Sequence, residues 1–89
     1  MNIEISRAFV KDVEVLPNQT KGIILELIEE IQSETVKSPF DIKEYSKLKG
    51  SNNLYRIRRG VYRAVIEYNN DGKAILKRIQ PRGQIYKKK

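Results

Sequence analysis

The chain reads as a small α+β domain, ordered β-α-α-β-β-β, with two N-terminal helices packed on one face of a small antiparallel sheet. Three observations predict this. Ile23, Ile24, Leu27, Ile28 and Ile31 form a stripe at helical spacing in the first half. Leu54–Arg59, 61–68 and 74–81 are short runs rich in Val, Ile and Tyr in the second half. Asn69-Asn70-Asp71-Gly72 joins two of those runs, and Asn, Asp and Gly tolerate the positive φ of a hairpin turn.

At 89 residues the chain is expected to be one domain, 1–89, with Lys87-Lys88-Lys89 as a flexible tail. Ile3-Glu4-Ile5 alternates and predicts a short first strand. Ser6 is placed to cap the helix that follows, where Phe9, Val13 and Leu16 share one side. Pro17 ends that helix, and Asn18 or Thr20 starts the next. Glu26, Glu29, Glu30 and Glu34 lie on the side of the second helix away from its apolar stripe. Ser38-Pro39 breaks it. Residues 38–53 are polar and Lys-rich and read as a loop, with room for one helical turn near Ile42–Leu48. The strands at Leu54–Arg59 and 61–68 meet at Gly60.

Period two then sorts the side chains by face. Tyr55 and Ile57 point one way, Arg56 and Arg58 the other. Tyr62, Ala64, Ile66 and Tyr68 face the helices, and Arg63 points away. Arg78, Gln80 and Arg82 share a face of the last strand. Lys77 breaks the pattern, because it falls between Ile75 and Ile79 on the apolar side. A bulge and an edge position with a snorkelling Lys both account for it. This register gathers Arg56, Arg58, Arg63 and Arg82 on the open face of the sheet, exposed to solvent.

Charge supports a polyanionic partner. Residues 1–50 hold 7 Lys/Arg and 9 Asp/Glu, whereas residues 51–89 hold 11 Lys/Arg and only Glu67 and Asp71. A basic half built on strands, interleaved with Tyr, suits RNA or DNA. Arg56 and Arg58 alone would be ordinary surface; four Arg on one face without nearby acid favour binding. The tyrosines are expected to pack rather than stack on bases. The chain has no Cys and no His, which removes thiolate chemistry, zinc ribbons and the usual general base. A two-metal nuclease needs several convergent carboxylates, and the basic half offers two. No metal and no cofactor are expected. There is no basic start followed by a long apolar run, and no apolar run exceeds three residues, so neither a signal peptide nor a membrane span is expected. A cytoplasmic location fits the lack of Cys.

Four runs, in order, resemble the RelE branch of the RelE/ParE toxin superfamily, and its archaeal members especially: Lys47-Leu48-Lys49-Gly50, Leu54-Tyr55-Arg56-Ile57-Arg58, Gly60-Val61-Tyr62-Arg63, and Pro81-Arg82-Gly83-Gln84-Ile85-Tyr86-Lys87. The resemblance covers nearly the whole chain. It implies the toxin of a toxin–antitoxin pair, an endoribonuclease that enters the ribosomal A site and cuts messenger RNA. The 2′-hydroxyl attacks the adjacent phosphate and leaves a cyclic phosphate and a 5′-hydroxyl. It also implies a RelB-like antitoxin and a toxin–antitoxin hetero-oligomer. Carried over, Arg63, Arg82 and Tyr86 are the catalytic candidates. Arg56, Arg58, Lys47, Lys49 and Arg78 are the RNA contacts. Two basic positions that are often Lys in relatives are Arg here, and Arg does not release a proton. Pro81 stands where some relatives have His or Lys.

Metal-free transphosphorylation must stabilise a dianionic phosphorane and move two protons. Guanidinium donors suit the first task, at roughly 10²–10³ in rate per donor, which assigns it to Arg63 and Arg82. Tyr86 serves either as a general base, once cations lower its pKa, or as a stacking group that orients the 2′-oxygen. Two other functions share this basic face: a ParE-like gyrase inhibitor and a non-catalytic RNA-binding module.

Overall fold

The computed structural model describes residues 1–69 and 71–81. The elements are β1 (Ile3–Ile5), α1 (Arg7–Glu14), α2 (Asn18–Gln32), a 3₁₀ turn (Pro39–Asp41), β2 (Tyr45–Lys47), β3 (Leu54–Arg59), β4 (Tyr62–Tyr68) and β5 (Ala74–Pro81). One sheet runs in the order β1-β5-β4-β3-β2. The α+β class and the two-helix layer are as expected, with two differences. A fifth strand, β2, pairs antiparallel with β3 where the sequence reads as a loop, and β1 lies parallel to β5. The sheet is therefore mixed.

Ser6 caps α1 as its position predicts. Its Oγ accepts from the Phe9 amide at 3.0 Å, and the same hydroxyl donates to the Lys77 carbonyl at 2.8 Å. The Ser6 amide adds a bond to the Leu76 carbonyl. The β1–β5 ladder ends at Ile5 opposite Leu76, so β5 would present a bare edge beyond that point. The cap of α1 covers its first residues. Asp12, one turn further on, accepts from the Ile79 amide at 2.9 Å.

Thr20, Ile24, Leu27 and Ile31 form the buried face of α2. Ile23, expected within the stripe, sits on its flank at 41% exposure. The helix ends at Gln32, well before Pro39. Ser33 leaves the helix in an extended conformation, and the Met1 amine donates to the carbonyls of Ile31, Ser33 and Val36. The Ile31 carbonyl is among the groups a helix end leaves without partners.

Ile57, Ala64, Ile66, Leu76 and Ile79 complete the core from the sheet side. The irregularity at Lys77 is a bulge: Val65 pairs with Arg78 while Ile66 pairs with Leu76. Lys77 also lies one residue past the end of the β1 ladder, so the bulge and the β5 edge meet there. The extra residue moves the inward series to Ala74, Leu76 and Ile79, in place of the expected Ile75 and Ile79. Two turns need positive φ and have glycine for it, Gly60 (φ 57°) between β3 and β4 and Gly72 (φ 87°) between β4 and β5. No helix among the described residues is long and apolar enough to cross a membrane.

Candidate nucleic-acid interface

The face of the sheet away from the helices carries the basic residues in cross-strand rows. Strand register sets Arg58 opposite Arg63, and Arg63 opposite Gln80. The next row holds Ser46, Arg56, Val65 and Arg78. Like charges directly opposite one another destabilise an antiparallel pair, so the Arg58–Arg63 step opposes folding.

Six of the eight candidate residues lie in the described region, and their surroundings differ. Lys47, Lys49 and Arg56 come together, lining a cavity of about 410 Å³ with Leu48. The hairpin from β2 to β3 produces this gathering: it folds the Lys-rich segment back along Arg56. The Ser46 hydroxyl, opposite Arg56, is buried without a hydrogen-bond partner among the described residues. Arg58 is exposed and, among the described residues, makes a loose ion pair, Nε to Glu44 at 3.8 Å. Arg63 is 7% exposed, not open to solvent as its alternation suggests. One of its bonds runs from NH1 to the Tyr62 carbonyl at 3.3 Å.

Arg78 is turned to a different task. It grips Asp12 with two parallel bonds, Nε to Oδ2 at 2.8 Å and NH2 to Oδ1 at 3.0 Å. The hydrogen bond to Asp12 raises its pKa further above the usual arginine value, so it stays charged but paired. It joins α1 to β5. Arg82 and Tyr86 lie outside the described residues.

Three features escape a reading of the sequence alone. Glu44 brings a carboxylate to the arginine face from the acidic half, with its carbonyl accepting from the Arg58 amide. It does so at φ 61°, a left-handed conformation that a Glu seldom adopts. Arg59, between two residues of interest, belongs to the other face and is tied to Glu30 at 2.6 Å. Glu67, one of the two acids of the basic half, is occupied by Lys77 at 3.4 Å and by the Asn53 amide. Among the described residues no three Asp or Glu side chains converge as a metal site would require.

An apolar groove of about 330 Å³ lies apart from this face, between α1 and α2. Phe9, Val10, Val13, Ile24, Leu25 and Ile28 line it, with Val10 and Leu25 largely open to solvent.

No family model matches the chain. It is 39% identical over 87 residues to toxin RelE3 of Methanocaldococcus jannaschii, covering 97% of this chain and 96% of that one. Among solved structures it is similar to a chain of the RelB–RelE antitoxin–toxin complex from Methanococcus jannaschii, with a TM-score of 0.76 and 34% identity over 93% of this chain and 94% of that one. It also matches a chain of the archaeal RelE–RelB complex from Pyrococcus horikoshii, with a TM-score of 0.68 and 29% identity over 93% and 96% of the two chains.

Proposed function

Since the chain belongs to the RelE toxin family, we propose that it is the toxin of a RelB–RelE pair and cleaves messenger RNA in the ribosomal A site. The observation that carries this reading is the cross-strand step of Arg58 against Arg63, beside the Lys47–Lys49–Arg56 cavity. A step that costs stability and lies next to a basic cavity fits a phosphodiester at its reacting centre. Lys47, Lys49, Arg56 and Arg58 hold phosphates. Arg63 and Arg82 donate to the phosphorane. The 2′-oxygen attacks phosphorus and gives up its proton, the bond from phosphorus to the 5′-oxygen breaks, and the 5′-oxygen takes a proton. Tyr86 serves at the 2′-oxygen, as base or as orienting group. The reaction is metal-independent, a reading supported by the commitment of Glu67 to Lys77 and Asn53.

A RelB-like antitoxin holds the toxin inactive, with apolar side chains of an amphipathic helix seated between α1 and α2. The exposure of Val10 and Leu25 in that groove supports this arrangement. Expression without antitoxin tests the proposal. Wild type arrests growth and yields messenger ends within translated frames. Arg63→Gln, with its melting checked because Arg63 is buried, loses both. Arrest by a folded Arg63→Gln protein would remove Arg63 from the chemistry.

A further inference from the structure

A third depression, of about 670 Å³, is formed around the β2–β3 turn, next along the chain to the basic cavity. Its lining is unlike the arginine face, with no charged side chain among the described residues. Phe40, Tyr55 and Tyr68 supply rings, and Asn52, Asn53 and Asn69 supply amides. Phe40 is the informative member. It is 53% exposed, yet edge contacts fix its ring, 5.5 Å from Tyr45 and 5.4 Å from Tyr55 by centroid. An aromatic ring fixed by its neighbours and more than half exposed offers a surface on which a base can stack. Asn53 is itself fixed, its amide shared between Glu67 and Asn69. Asn52 at the rim is exposed.

We propose that this depression is a nucleobase subsite: it takes one unstacked base of a single-stranded RNA whose phosphates lie in the Lys47–Lys49–Arg56 cavity. The two cavities adjoin along the chain, since Lys49 and Arg56 line one and their neighbours Gly50 and Tyr55 the other. A nucleotide has this same division, a charged phosphate beside a neutral, flat, hydrogen-bonding base. The base stacks on Phe40, and the amides at the rim meet its polar edge. Charged walls in the basic cavity and uncharged walls in the depression keep the two ends of the nucleotide apart. The proposal rests on the RNA-cleaving reading for the identity of the polymer. It adds a recognition element outside the arginine rows.

The test compares two short single-stranded RNAs of equal charge, 2′-O-methylated to prevent cleavage. One is an oligoadenylate and the other carries abasic sites throughout. The toxin, released from its antitoxin, should bind the first about 5- to 100-fold tighter, as expected for one stacked base. Phe40→Ala should erase that preference and leave abasic affinity unchanged, while Lys47→Ala with Lys49→Ala should weaken both. Asn52→Ala, in an exposed loop position, should reduce the preference without any risk to the aromatic cluster. Equal affinity of wild type for the two RNAs would overturn the base subsite, leave the RNA-binding face standing and assign the depression to a protein partner. A parallel loss on both RNAs from Phe40→Ala, with no effect of Asn52→Ala, would likewise overturn it. Binding of neither RNA would overturn the subsite and the RNA reading together.

Discussion

Arg58 and Arg59 are neighbours on β3 and live under opposite conditions. Arg59 points to the helix side, where NH2 donates to Glu30 and NH1 to the carbonyls of Lys43 and Arg58. Its side chain is 20% exposed. Arg58 points to the open side, 56% exposed, with one loose carboxylate neighbour and another arginine directly opposite. The same residue type stabilises the fold on one face and is displayed on the other. Arg78 repeats the first pattern through Asp12. Basic composition by itself therefore overstates the interface, because part of the positive charge is spent within the fold.

If that division is right, breaking the tied arginines should cost stability. The largest effect is expected at Asp12. Its carboxylate holds Arg78 and also satisfies the Ile79 amide on the β5 edge, and its side chain is only 11% exposed. Asp12→Ala should destabilise by about 2–3 kcal/mol in urea unfolding, since two charge-assisted hydrogen bonds are lost and the Ile79 amide is left without its acceptor. A change under about 0.5 kcal/mol would mean that water replaces the carboxylate at the β5 edge at no cost. Arg59→Ala should cost less, about 1–2 kcal/mol, because Glu30 keeps contact with solvent once its partner is gone.

How much of this was legible follows the range of each interaction. The α2 stripe, the Ser6 cap and the Gly72 hairpin are local, and the sequence predicts them. β2 is three residues long and has no period to read. It exists because Tyr45 packs on Phe40 and Tyr55 while its backbone pairs with β3. Lys77 announces an irregularity, but selecting a bulge needs the register of β5 against β4, which no local pattern carries. The parallel β1–β5 pair joins residues about 70 apart in sequence, beyond any local pattern. The candidate site divides the same way. Alternation puts Arg56, Arg58 and Arg63 on one face. It does not foresee the burial of Arg63, the capture of Arg78 by an acid 66 residues away, or the arrival of Glu44.

Glu44 sharpens the comparison from the open side. Asn tolerates the left-handed backbone better than Glu, so Glu44→Asn should stabilise the fold by under about 1 kcal/mol. It also removes the Glu44 carboxylate beside Arg58 and should tighten RNA binding at low salt. Weaker RNA binding by this variant would show that the carboxylate helps position Arg58 instead of competing with phosphate.

The most direct test of the central claim is cleavage of a defined messenger on purified translating ribosomes, followed by primer extension, with Arg58→Ala and Arg59→Ala side by side. Both variants are assayed below their melting transitions. Arg58→Ala should melt at or slightly above wild type, because the like-charged step is relieved, and should lose at least tenfold in A-site cleavage. Arg59→Ala should melt earlier and cleave at nearly the wild-type rate per folded molecule. Wild-type cleavage by Arg58→Ala, or equal loss in the two variants, would contradict the division between arginines tied into the fold and arginines displayed for RNA.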